Sequence, residues 1–188
     1  TYADGISGQA AHFGRALGTR LEYSLASNLD PRQGTIAVWL KLDGNAVVDG
    51  RPVKADDWQT ILSMPWDSQT RVGSGAIWFW VYNGRFRADV SDLRDQYVMA
   101  AQSGDNVWQH VVFTWDAYES RIYVNGICSR RLRDDSNMAQ IVRRRRFCRL
   151  DADRFEVGNL HGNSLEGWMD DLRIYSAPLS GAAVERLY

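Results

Sequence analysis

Two Asn-Gly pairs constrain this chain more than any other feature. Asn83-Gly84 and Asn125-Gly126 each stand between two runs of alternating apolar residues. Such a pair is the strongest short-range signal for a tight hairpin, because a two-residue type I′ turn needs positive φ at both central positions. A loop of that length also sets register. It pairs Tyr82 with Arg85 and Val81 with Phe86, and so on outward, and paired residues share a face. One face of the first hairpin is then Ile77, Phe79, Val81, Phe86, Ala88 and Val90. The other is Trp78, Trp80, Tyr82, Arg85, Arg87 and Asp89. The wholly apolar face must be core. The second hairpin pairs Val124 with Ile127 and Tyr123 with Cys128, and its first strand follows residues 107–115 across a short loop, giving a three-stranded meander.

Further strands are expected over residues 35–42 (TIAVWLKL, with Ile36, Val38 and Leu40 on one side), 60–64, 155–158 and 168–175. The one helix expected is short, over 182–187, with Ser180 as its N-cap. Many short antiparallel strands joined by tight turns mean an all-β sandwich or barrel. A chain of 188 residues without a Pro-, Gly- or Ser-rich linker reads as a single domain, 1–188, large enough to bury about 70% of its unfolded surface. No apolar stretch approaches the ~20 residues of a membrane helix. The chain starts at Thr1 without a basic-then-apolar leader, so any signal peptide is expected to have been removed or left out. A net charge of −1 argues against general attraction to nucleic acid or anionic membranes. Nothing in the sequence sets the oligomeric state.

Residues 108–126 read WQHVVFTWDAYESRIYVNG, and residues 167–179 read GWMDDLRIYSAPL. Together these resemble the laminin G-like jelly-roll domains of the concanavalin A-like lectin/glucanase superfamily. Their strands typically run W-x-H-v-a-f-T-w-d … l-Y-v-N-G and, near the C-terminus, G-x-i-D-d-v-R-i-Y-n-x-a-L-s. Residues 5–17 and 35–41 fit the same pattern more loosely. The resemblance implies a two-sheet antiparallel jelly-roll sandwich, one sheet concave, with ligands on the concave face or its rim loops. Members include carbohydrate-binding modules, lectins, adhesion modules and some glycoside hydrolases, and fold alone does not choose among them. The expectation is a non-catalytic carbohydrate-binding module, part of a larger extracellular protein that is secreted, periplasmic or on the cell surface. An adhesion module that binds another protein is the alternative, and a glycoside hydrolase or polysaccharide lyase the minor one. Laminarinase-like hydrolases of the superfamily carry E-x-D-x-x-E on one strand, which holds acid and nucleophile about 5 Å apart. Residues 151–156 (DADRFE) have that spacing, but with aspartate first and far too late in the chain.

Trp78, Trp80 and Tyr82 are the leading ligand-binding candidates. Their opposite face supplies the core, and flat rings suit the C–H faces of pyranose sugars. Arg85 and Arg87 beside them could bond hydroxyls or carboxylates. A ladder that merely covers the sheet, or a segment packed over the rings, is the competing reading. Trp66, in the turn-rich stretch 64–75, is the candidate wall of a rim site. His110 falls where the family pattern has a histidine, which implies a structural hydrogen bond.

Cys128 and Cys148 bracket an arginine-rich stretch; from Arg130 to Arg154 there are nine arginines. Arg143 to Arg146 could bind sulfated or uronic sugars, although Asp134, Asp135, Asp151 and Asp153 would neutralise much of that charge. A Cys128–Cys148 bridge would stabilise by about 3 kcal/mol, in an oxidising compartment only; two free buried thiols are the alternative. Asp170, by alternation, shares a side with Leu172 and Ile174 and should point inward. An inward carboxylate needs a cation, backbone N–H donors or an arginine. The resemblance implies one structural calcium there, between Asp170 and backbone carbonyls of the N-terminal segment, in an oxygen shell of six to eight ligands; Asp4 is this chain's candidate second carboxylate, and a metal-free, hydrogen-bonded carboxylate is the alternative.

Overall fold

The computed structural model describes residues 2–14, 18–30, 32–44, 47–48, 51–52, 58–64, 77–89, 98–102, 105–116, 118–133, 154–159 and 162–188, with backbone alone at 47–48, 51–52, 98–102 and 131–133. Its early strands are β1 (Tyr2–Asp4), β2 (Gln9–Phe13), β3 (Leu21–Ser24), β4 (Gly34–Leu42), β5 (Val47–Val48) and β6 (Arg51–Pro52). The middle of the chain gives β7 (Gln59–Ser63), β8 (Trp78–Tyr82), β9 (Arg85–Asp89) and β10 (Val98–Gln102). β11 (Gln109–Trp115), β12 (Glu119–Val124), β13 (Ile127–Arg133), β14 (Arg154–Val157) and β15 (Gly167–Tyr175) follow, and α1 (Gly181–Leu187) ends the chain.

Both Asn-Gly turns form as expected. Asn83 and Gly84 have φ of 52° and 61°, and Asn125 and Gly126 have 52° and 77°, the paired left-handed conformations of a type I′ turn. The registers also agree, with Tyr82 opposite Arg85 and Val124 opposite Ile127. The strands make a seven-stranded sheet in the order β1-β2-β15-β4-β11-β12-β13 and a six-stranded sheet in the order β10-β9-β8-β7-β14-β3, with β5 and β6 as a small ribbon. β1, β2, β3, β5, β6 and β10 have no counterpart among the expected strands.

The two large sheets stack on one core. Ile36, Val38 and Leu40 of β4 and Val111, Phe113 and Trp115 of β11 meet Leu62, Phe79, Val81, Phe86 and Val157 of the other sheet. Phe79 and Phe113 touch across the gap, ring centroids 6.1 Å apart. Each such side chain, fully buried, contributes about 1.5–3 kcal/mol before ordering costs. The outer face of the seven-stranded sheet is covered too. Val184 of α1 packs on Ala37, Val112 and Tyr123, so β4 and β11 are buried on both faces. Ser180 caps the helix as expected, its Oγ accepting the Ala183 N–H at 3.2 Å. Among the described elements none covers the six-stranded sheet in this way.

One expectation fails inside β15. Asp170 stands opposite Trp39 and Arg173 opposite Ala37, so Asp171 and Leu172 together face the single residue Val38. Asp171 has φ of +48°. This is a β-bulge, and it shifts the alternation by one. Leu172 and Ile174 pack on the core, but Asp170 does not share their side: it lies with Trp39 on the outer face.

Candidate functional site

On the β8–β9 hairpin, Trp78 pairs with Asp89, Trp80 with Arg87 and Tyr82 with Arg85. Ile77, Phe79, Val81, Phe86 and Ala88 are all buried in the core, so the aromatic stripe does lie on the outer face of the six-stranded sheet. It is not bare. Trp58, one residue before β7, stacks on Trp80 with ring centroids 5.6 Å apart and 19° between planes, and lies 4.6 Å from Tyr82. Trp80 is consequently only 7% exposed, whereas Trp58 is 41% exposed. That corrects the role given to Trp80: a ring so covered offers a sugar no face to lie on, and it serves as the floor beneath Trp58. Trp78 meets Trp80 edge to face, centroids 5.9 Å apart, and stays half-buried.

The Arg87 guanidinium lies over the Tyr82 ring, 4.7 Å from its centroid, a cation–π contact worth about 0.5–1 kcal/mol where exposed. Arg85 is exposed at the hairpin tip. The opposite end of the face is acidic. Pairing across four strand boundaries lines up Asp89, Trp78, Ser63, Glu156 and Glu22 in one transverse row. Glu156 is buried, and the Arg154 Nε lies 3.9 Å from it and 3.6 Å from Glu22. Trp58 was not among the sequence candidates, and Glu156 entered only as the last residue of the 151–156 motif, which does not match the hydrolase pattern. Trp58 does carry a signal, since it adjoins the strand Gln59–Ser63, but only knowing that β7 pairs with β8 brings it to Tyr82.

The other candidates fall elsewhere. Trp66 and Cys148 lie outside the described residues, as do Arg143 to Arg146. Cys128 is exposed on β13, its Sγ 3.7 Å from the Arg130 carbonyl. The His110 ring makes no hydrogen bond through Nδ1, which is buried without a partner. The structural bonds come from its backbone: the N–H donates to Asn125 Oδ1 at 2.9 Å, and the carbonyl accepts the Asn125 N–H at 2.8 Å. The imidazole packs on Trp39 at 5.0 Å and near Tyr188 at 6.3 Å. Burial pushes its pKa below the ordinary value, Asp171 opposing the shift and Arg173 adding to it.

Asp170 and Asp4 test the calcium expectation. Asp4 is exposed on β1. The Asp170 carboxylate is buried beneath the turn formed by residues 5–8, where the Gly5 N–H donates to the Gly8 carbonyl at 2.9 Å. Its Oδ2 accepts the Ser7 N–H and its Oδ1 the Asp171 N–H, both at 2.8 Å. A Cβ on Gly5 would collide with that carboxylate. One N–H donor on each oxygen compensates the buried carboxylate without a cation. Among the described residues, moreover, no three His, Cys, Asp or Glu cluster as ligands. The second carboxylate of the expectation is therefore not beside Asp170, whose charge is met by backbone donors.

A hollow of about 530 Å³ lies at Ser27 to Asp30, Arg32, Ile174 and Ser176. Its charged groups serve each other, Arg32 donating to both Asp30 oxygens at 2.9–3.0 Å, and no ring lines it. The outer face around Trp58 is the stronger candidate.

Two antiparallel sheets stacked on one core, with a short helix closing the C-terminal side, define a jelly-roll sandwich of the concanavalin A-like class. A laminin G family model described as the concanavalin A-like lectin/glucanases superfamily matches residues 18–185, and the chain belongs to that family. No curated protein matches the sequence. Among solved structures, the chain resembles domain 4 of AbnA, a GH43 extracellular arabinanase from Geobacillus stearothermophilus, in complex with arabinotriose. The identity is 18%, covering 100% of this chain and 80% of that one, with a TM-score of 0.63. The binding domain of Paraclostridial Mosquitocidal Protein 1 aligns at 12% identity over 100% of this chain and 44% of that one, TM-score 0.68. The ligand-binding domain of botulinum neurotoxin serotype D, in complex with N-acetylneuraminic acid, aligns at 18% over 91% and 40%, TM-score 0.57. At such identities the likeness is one of fold, and the chain spans less than half the length of the two toxin domains.

Proposed function

We propose that this domain is a non-catalytic glycan-binding module whose platform is the Trp58 ring, on the outer face of the six-stranded sheet. One observation carries the reading: a large ring, 41% exposed, is held from beneath by Trp80 and Tyr82. A ring already fixed in place loses little conformational freedom on binding. Its open face suits the C–H face of a pyranose or furanose, while the Tyr82 hydroxyl and Arg85 stand near to bond hydroxyls. The arabinanase domain solved with arabinotriose and the neurotoxin domain solved with N-acetylneuraminic acid lend this support at the level of fold.

The carboxylates of the same face speak against hydrolysis. Glu22 and Glu156 share Arg154 as an ion partner, an arrangement unlike a free acid beside a nucleophile. The neighbour's extracellular origin favours a module that acts outside the cytoplasm, and no described helix is long and apolar enough to cross a membrane. The test is affinity electrophoresis through a panel of polysaccharides. Retardation by at least one polymer, abolished in Trp58→Ala while the far-UV spectrum and melting temperature stay close to wild type, is the expected result. Undiminished retardation of Trp58→Ala would remove this face from the site.

A further inference from the structure

The charges on the glycan-facing surface are sorted by end. At the hairpin tip stand Arg85 and Arg87, opposite Tyr82 and Trp80. Asp89, Glu156 and Glu22 belong to the transverse row through Trp78. Asp89 lies four residues along β9 from Arg85, about 13 Å at strand rise, which exceeds the Debye length of about 8–10 Å at physiological salt. The acidic row has its own cation in Arg154. Arg87 is drawn onto the Tyr82 ring. Arg85 makes no ion pair or hydrogen bond among the described residues and is exposed, directly opposite Tyr82, whose ring touches Trp58. The platform ring therefore has an uncommitted guanidinium at its side and the carboxylates of its own face at the far end.

Building on the glycan-binding reading, we propose that the ligand is an acidic glycan, with a carboxylate or sulfate on the residue next to the one that stacks on Trp58, bound by Arg85. A guanidinium presents parallel N–H groups that match two oxygens of either anion, and such charge-assisted pairs are the strong ones. A neutral sugar would use the ring and leave this group idle.

The experiment compares polymers that differ in charge: polygalacturonate against galactan, and dextran sulfate against dextran, each at 50 mM and 500 mM salt. The protein is assayed as wild type, Arg85→Ala, Arg85→Lys and Trp58→Ala. The expected result is at least tenfold tighter binding of one charged polymer over its neutral partner at low salt, with which pair responds telling carboxylate from sulfate. Arg85→Ala should remove most of that preference, and Arg85→Lys should fall between the two because it keeps the charge and loses the fork. Added salt should weaken the charged complex and spare the neutral one. Equal binding of charged and neutral polymers, lost in Trp58→Ala, would overturn the acidic ligand and leave the glycan reading standing. A charge preference that survives Arg85→Ala would also overturn the proposal, placing the anion at other arginines. Binding to none of the four polymers would count against both.

Discussion

Replacing Asp170 by asparagine separates two accounts of why a carboxylate is buried under the N-terminal turn. In the structure its two oxygens accept the N–H groups of Ser7 and Asp171, both at 2.8 Å. Asparagine keeps one acceptor and turns an NH2 group toward the other N–H. The change removes one hydrogen bond to a charged group, worth about 1.5–3 kcal/mol, and sets two donors against each other, so the total is about 2–4 kcal/mol. For a domain of this size each kcal/mol moves the melting temperature by about 2–4 °C, giving a drop of about 4–16 °C. The assay is thermal unfolding followed by circular dichroism, with amide exchange at Ser7 as a local reporter. Wild type should melt at the same temperature in excess calcium and in excess chelator, because the carboxylate serves backbone donors. A calcium ion bound at a hundredfold excess over its dissociation constant would add about 2.7 kcal/mol. The reasoning is refuted if chelator alone lowers the wild-type midpoint by several degrees, or if Asp170→Asn melts within 1–2 °C of wild type.

Two further outcomes follow from the packing. Trp80→Ala should destabilise by about 3–5 kcal/mol, the usual cost of emptying a buried tryptophan site, and clearly more than Trp58→Ala, as chemical denaturation of both variants would reveal; equal losses would mean that Trp58 does not cover Trp80. Burial depresses the His110 pKa below its ordinary 6.5, so its contribution to stability is complete above about pH 6.5 and is lost as pH falls through the depressed folded value. Unfolding free energy measured from pH 7.5 to 5 should therefore fall more steeply in wild type than in His110→Gln, and parallel curves would refute it.

The legible parts of this chain are those where local chemistry decides geometry. Asn-Gly admits few turns, and a two-residue turn leaves one register, so both hairpins and the core face of β8 and β9 could be read from residues alone. The Ser180 cap is local in the same sense. What escaped depends on contacts distant in sequence. Trp58 covers Trp80 only because β7 pairs with β8, and no periodicity in residues 58–64 announces that. Asp170 was misplaced because alternation was extended through residue 171, where a left-handed φ interrupts it; a bulge leaves no mark in a pattern of apolar and polar letters. The acidic row from Asp89 to Glu22 joins five strands drawn from residues 21 to 157, so no reading along the chain could assemble that row.

The bulge at Asp171 acts on β15 as a half-period phase shift, splicing two strands of opposite polarity code. Upstream, Met169 faces the core and Trp168 faces out; downstream, Ile174 faces the core and Arg173 faces out. The splice lets one nine-residue strand hold the N-terminal turn through Asp170 and then present Tyr175 beneath α1. It also makes this the point in β15 where one residue can be lost without turning either half over. Deleting Asp171 would turn the two halves into one plain alternation, with Met169, Leu172 and Ile174 still facing the core and Asp170 and Arg173 still facing out. It would also remove the Asp171 N–H that Asp170 accepts and the Asp171–Arg173 pair. A relative with one residue fewer between its counterparts of Asp170 and Arg173 would thus keep the same faces at both ends of the strand and have a regular ladder where this chain has a bulge.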